Sequence, residues 1–179
     1  DFVRHVDDRA DQFGAAVHDE RGGDLRLAMA MAFLPGSGVP MTNMALVTEK
    51  EGKLWLLDVT NGRKQEVAGV PKVHVEGQGG LAEVVAHPGF AGNQRVYLSF
   101  PEAGPNGTSG ATIGYGRLIL GSGQPRLEGY KTIWRQDPKV QGGAHYSERI
   151  AFAPDGTMFI TSGERFQFTP AQDTNSDMG

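Results

Sequence analysis

No cysteine occurs among the 179 residues. That absence excludes disulfides, thiolate metal sites and a thiol nucleophile, but it fixes no compartment, because many exported proteins also lack cysteine. No apolar run approaches the ~18 residues of a membrane span; the longest, residues 25–35, is interrupted by Arg26. No basic run is present, and the formal charge is −4 with a pI near 5.7. A nucleic-acid surface, which needs clustered Lys and Arg to displace counterions, is therefore not expected. Residues 1–26 lack the basic start and apolar middle of a secretory signal. Eleven of them are charged and they follow no clean period, so they read as a divergent N-terminal arm.

Glycine is what the chain has in excess. Its 26 glycines are twice the ~7% usage of an average protein, and with 10 prolines they cut the chain into pieces too short for long helices. The composition predicts an all-β fold. Three segments share one layout: Ala32-Phe33-Leu34-Pro35-Gly36, Ala86-His87-Pro88-Gly89-Phe90 and Ala151-Phe152-Ala153-Pro154-Asp155-Gly156. Each approaches a proline turn as a strand and is followed by a second strand, at residues 44–49, 95–100 and 157–162. The prolines are spaced by 53 and 66 residues, at or above the ~40–50 residues of a four-stranded propeller blade. Lys50-Glu51-Gly52 and Asp155-Gly156 supply the positive φ that a hairpin turn requires. Further strands are expected at 53–58, 113–120 and 131–136. Residues 27–34 contain good helix formers, but Leu27, Met29, Met31 and Phe33 alternate with Ala28, Ala30 and Ala32. A period of two predicts a strand with one bulky and one small face, suited to packing between neighbouring sheets.

The chemistry-bearing residues concentrate between Gly142 and Gln172. His145 follows Gly142-Gly143-Ala144, where small residues let backbone approach a ligand, and an imidazole of pKa ~6.5 suits proton abstraction near neutrality. Taken singly it also reads as an exposed loop histidine. Glu164 closes the strand expected to pair with residues 149–153, so hairpin geometry places it near His145, where a carboxylate would orient the ring. It reads equally as a strand-end acid paired with Arg165. Gln78, within Gly77-Gln78-Gly79-Gly80, carries an amide that both donates to and accepts from a sugar hydroxyl, or is a turn residue. No G-x-G-x-x-G follows there, which removes a dinucleotide loop. Asp173-Thr174-Asn175-Ser176-Asp177 places oxygens at alternate positions as at the start of a calcium loop, but its glycine comes one place late and no later glutamate exists. It reads as a polar turn, and no metal ligand is assigned.

From Leu27 onward the chain resembles the soluble quinoprotein glucose/sorbosone dehydrogenases, in particular their aldose sugar dehydrogenase branch. The resemblance is carried by Ala32–Pro35, Val47-Thr48-Glu49 with Gly52-Lys53-Leu54, Gly77–Phe90 with Val96-Tyr97-Leu98-Ser99, Gly114-Tyr115-Gly116-Arg117-Leu118, and Gly142–Gln172 with Asp173, all in order. It implies a six-bladed β-propeller of which residues 27–179 form about the first half, roughly three blades. It further implies oxidation of aldose sugars at C1 to lactones, with pyrroloquinoline quinone (PQQ) and calcium as cofactors, an external electron acceptor, and a periplasmic or secreted location. His145 would be the general base, Glu164 its carboxylate partner, and Gln78 and Arg149 contacts to sugar or quinone. The cations that hold the quinone's carboxylates, and the calcium ligands, would lie outside this chain, which is then expected to be inactive alone. Three departures stand out. Ala144 occupies the place of a substrate-contacting aspartate of glucose-type members, Ser147-Glu148-Arg149 replaces Gly-Gly-Arg, and a Pro-Trp before the first blade motif is missing. Two alternatives remain within the fold: a non-catalytic propeller that binds a protein partner, and a calcium-dependent lactonase-type propeller, which needs convergent acids and asparagines.

Overall fold

The computed structural model describes residues 27–35, 43–121, 123–176 and 178. The expected N-terminal arm at 1–26, the turn glycine Gly36 and Asp177 lie outside them. Among the described residues ten strands form three antiparallel sheets. The first runs β1 (Ala28–Phe33), β2 (Met44–Glu49), β3 (Leu54–Asp58), β4 (Lys64–Glu66), each strand paired with the next. The second repeats that meander with β5 (Glu83–Ala86), β6 (Arg95–Ala103), β7 (Ser109–Ile119) and β8 (Arg126–Arg135). The third is the hairpin β9 (Ser147–Phe152) and β10 (Met158–Ser162). The leading strand of the second sheet, β5, packs against both β1 and β9, so the first strands of successive sheets line up side by side. Four-stranded antiparallel meanders in this relation are consistent with a β-propeller family.

The expected turns form for the expected reasons. Gly52 and Gly156 adopt φ of +93° and +88°, and each closes a hairpin through a backbone bond to the residue three back, Glu49 and Ala153. Asp155 Oδ1 caps the second turn by accepting from the Thr157 amide at 2.9 Å. The proline turn at Pro88 differs from expectation: a single helical turn, α1 (Phe90–Asn93), intervenes before β6 and buries Phe90 completely. β6 also extends through Pro101. That is tolerated because β5 stops pairing at Ser99, and the Pro101 carbonyl turns away from β7 to accept from the His74 amide. A proline at this register loses no ladder bond.

The main core lies between the first and second sheets and contains Leu46, Leu54, Leu56, Val84, Phe90, Val96, Leu98 and Leu118, all buried. A second cluster, Tyr97, Ile113 and Ile150 with Trp134 and Phe152 against it, joins the second sheet to the third. The alternation in β1 is borne out as a strand, and its small face, Ala30 and Ala32, packs on the main core. Its bulky face is only half-covered among the described residues, with Met31 at 51% and Phe33 at 60% exposure. Leu98→Ala should lower unfolding free energy by about 2–5 kcal/mol, the range for a buried leucine whose cavity cannot collapse. A change below about 1 kcal/mol in the unfolding free energy from urea titration would show that the two sheets do not share this core.

Candidate active site

Three connections meet where β9 begins and β10 ends. They are the loop at 76–80 that leads into β5, the loop at 141–146 that leads into β9, and the segment at 163–168 that leaves β10. The β9–β10 ladder closes with Ser147 opposite Ser162, and the Gly163 amide then donates to the Tyr146 carbonyl at 3.0 Å. One step further out, the antiparallel geometry sets Glu164 beside His145. Only glycine fits at 163, because a Cβ there would run into the backbone carbonyl of His145. Gly77, at φ +55°, meets the Gly143 carbonyl in the same way, and the Gln78 amide donates to that carbonyl at 2.6 Å. Backbone is thus pressed on backbone here, whereas from sequence alone the small residues before His145 read as room for a ligand.

Within this junction the His145 Nδ1 and Glu164 Oε1 share a hydrogen bond. The His145 amide donates to Gln78 Oε1 at 3.0 Å, so the three residues singled out from the sequence touch one another. Phe166 lies against the imidazole with ring centroids 3.7 Å apart. All three residues line one cleft of about 540 Å³, together with Met29, Tyr146 and Glu148. With a carboxylate on Nδ1, the imidazole donates there and keeps its Nε2 lone pair for a proton.

The two carboxyl groups of the cleft are driven apart electrostatically. The hydrogen bond from His145, ahead of every other influence, holds the Glu164 carboxyl below the usual glutamate range. That contribution to stability is present above the ordinary glutamate value and is lost as pH falls through the lower folded one. Glu148 is 2% exposed, its Oε1 has no hydrogen-bond partner among the described residues, and burial pushes its carboxyl well up despite the pull of Arg165. Burial thus favours the neutral form of one acid and the imidazole the ionised form of the other, the kind of separation that lets neighbouring carboxyls take different roles.

Arg149 is placed elsewhere. Its guanidinium is largely exposed and pairs with Glu83 of β5 at 2.7 Å, and the residue does not line the His145 cleft. The alternative reading of Glu164 as a partner of Arg165 does not hold. Arg165 turns inward, is 2% exposed, and donates to the carbonyls of Ala144 (2.8 Å), Ser109 (2.6 Å) and Gly142. Both residues lie beyond the end of β10, and at Arg165 the chain turns with φ +55°, which sends the two side chains to different partners. The inward placement of Arg165 and Glu148, and the contact of the half-exposed Phe166 with the imidazole, were not read from the sequence. The Asp173 segment is a polar turn, with Asp173 Oδ1 accepting from the Asn175 amide at 2.9 Å. Among the described residues no cluster of His, Asp and Glu could hold a metal ion, and no helix is long and apolar enough to cross a membrane.

The family model for glucose/sorbosone dehydrogenases matches residues 25–179, and the chain belongs to that family. It is 37% identical over 150 residues to the aldose sugar dehydrogenase YliI of Escherichia coli K12, covering 84% of this chain and 38% of that protein. Among solved structures, one of a glucose dehydrogenase superposes with a TM-score of 0.78 at 42% identity, over 87% of this chain and 43% of that one. The PQQ-bound aldose sugar dehydrogenase of Streptomyces coelicolor superposes with a TM-score of 0.69 at 27% identity, over the same shares. The chain spans about two-fifths of the length of these relatives.

Glu148→Gln tests the electrostatics of the cleft. A buried carboxyl raised above the ordinary value of 4.5 binds its proton more tightly folded than unfolded, so wild-type stability declines as pH rises above 4.5 towards the folded value. The neutral amide removes that decline. Melting temperatures measured from pH 4 to 8 should show the variant gaining on the wild type as pH rises, and parallel curves would show that Glu148 is not held neutral.

Proposed function

We propose that this chain is the base-carrying portion, about the first half, of a six-bladed propeller that oxidises aldose sugars at C1 to lactones with pyrroloquinoline quinone. The observation that carries this reading is the His145 imidazole held at Nδ1 by Glu164 inside a cleft edged by Gln78. In the reaction, Nε2 of His145 takes the proton of the anomeric hydroxyl while the C1 hydrogen leaves with its electron pair. The C1–O bond becomes the lactone carbonyl. The quinone, when bound, supplies the hydride acceptor, and the electrons pass on to an external acceptor. Glu164 stabilises the imidazolium that forms and fixes the ring's tautomer. Gln78, whose Oε1 is occupied by the His145 amide, keeps its amide nitrogen for a sugar or quinone oxygen.

The residues present fit the proton-accepting half of this task and not the anchoring half. Three quinone carboxylates require several Arg or Lys contacts. The cations at this junction are already engaged: Lys50 with the Gly77 carbonyl at 2.5 Å, Arg149 with Glu83, and Arg165 with backbone carbonyls. The carboxylate anchors and the calcium ligands are therefore assigned to sequence beyond the portion matched here, as is the location in the periplasm or outside the cell. A protein-binding propeller has no need of the His145–Glu164 pair. A lactonase-type metal centre has no ligand cluster among the described residues.

In the full-length enzyme loaded with quinone and calcium, His145→Ala should lower aldose oxidation by about 10²–10⁴-fold, the usual yield of a positioned general base, with quinone binding retained in its absorbance spectrum. Turnover at the wild-type rate would remove His145 from the chemistry. The 179-residue chain alone, given the same quinone, calcium and an aldose, is expected to reduce no dye; measurable reduction would show that the anchoring residues are already within it.

A further inference from the structure

The guanidinium of Arg165 grips the loop that carries His145 from behind. Its Nε donates to the Ala144 carbonyl at 2.8 Å and its Nη2 to the Gly142 carbonyl, while Nη1 donates to the Ser109 carbonyl at 2.6 Å at the start of β7. Its plane lies over the Tyr146 ring, 3.7 Å from the centroid, and the Tyr146 hydroxyl is within 2.7 Å of Ser109 Oγ. The Ala144–His145 peptide is thereby held at both ends, with Arg165 on its carbonyl and Gln78 Oε1 on its amide. That peptide sets His145 at φ +50°, a left-handed conformation unfavourable for a non-glycine residue.

The cation is costly where it sits. Arg165 is 2% exposed and has no carboxylate in contact among the described residues, only the longer-range pull of Glu148 and Glu76, and a buried charge costs several kcal/mol unless its donors are well matched. A neutral side chain could fill the space, but only a guanidinium presents forked donors to carbonyls of two different segments. Glu164 and Arg165 are consecutive, so one dipeptide holds His145 twice: the acid on its side chain, the cation on its backbone.

We infer that Arg165 is the positioning residue that sets the His145 imidazole on Glu164, by fixing the Ala144–His145 peptide through its carbonyl. This rests on the function proposed above only for its catalytic consequence; the geometric part stands without it. In the full-length protein, the wild type should show a His145 Nδ1 proton protected from exchange and shifted far downfield in imidazole NMR, assigned by its absence in His145→Ala. Arg165→Lys keeps the charge but loses the fork, and Arg165→Ala loses both. Both variants should broaden or lose that resonance and lower kcat about tenfold or more with little change in KM, as expected for a misplaced catalytic group. Millimolar guanidinium should restore kcat in Arg165→Ala. An unchanged Nδ1 resonance in either folded variant overturns the inference; if Arg165→Ala does not fold, Arg165→Lys decides alone. Loss of the resonance in an enzyme whose His145→Ala form still turns over would instead refute the proposed function and leave the positioning role intact.

Discussion

A carboxylate hydrogen-bonded to Nδ1 leaves His145 one other ring nitrogen with which to react, and the residue lines a cleft. The demand is geometric before it is chemical. An imidazole at the end of a free loop would sample many rotamers, and ordering it costs entropy that the Glu164 bond alone would not offset. The junction therefore limits backbone freedom first. Gly163 lies on the His145 carbonyl, Gly77 lies on that of Gly143, and the Gln136 amide, buried at 1% exposure, ties the Gly163 carbonyl at 2.8 Å.

The electrostatics follow from the same packing. Between the second and third sheets the interior is not purely apolar: Glu148, Arg165, Gln136, Ser109 and Tyr146 are buried next to Ile113 and Ile150. Burial drives Glu148 towards its neutral form, whereas Glu164, in contact with the imidazole, stays ionised. Ser147 and Glu148 both adopt positive φ, +64° and +67°, at positions where the family resemblance leads one to expect glycine. This chain thus keeps a glycine-like backbone there with larger side chains on it, and the strain is local to the cleft.

Membership of the glucose/sorbosone dehydrogenase family fits this division of labour. The portion matched covers about two-fifths of its relatives. It contains groups suited to moving a proton, and the cations at their junction, Lys50, Arg149 and Arg165, are engaged by the protein itself. A histidine and its carboxylate set at strand ends are readily supported by repeated sheets, since each sheet presents its connections to a common face.

Much of this architecture depends on local pattern and was legible in the amino-acid order. Alternation identified β1 despite its helix-forming residues, Asp155-Gly156 and Lys50-Glu51-Gly52 announced their hairpins, and the β9–β10 hairpin brought Glu164 to His145 because antiparallel register is set by turn and strand length. The helical turn after Pro88 escaped notice because four residues are too few to show a period. Arg165 and Glu148 escaped notice for a different reason. Whether a charged side chain turns outward to solvent or inward to carbonyls depends on which distant segments, here Ser109 and Gly142, happen to lie behind it. The order of residues determined the strands, the turns and the meeting of base and acid, all of which arise from contacts near in sequence. Only the stacking of three sheets decided which charges are buried and what holds the base in place, because those partners are brought together by tertiary packing alone.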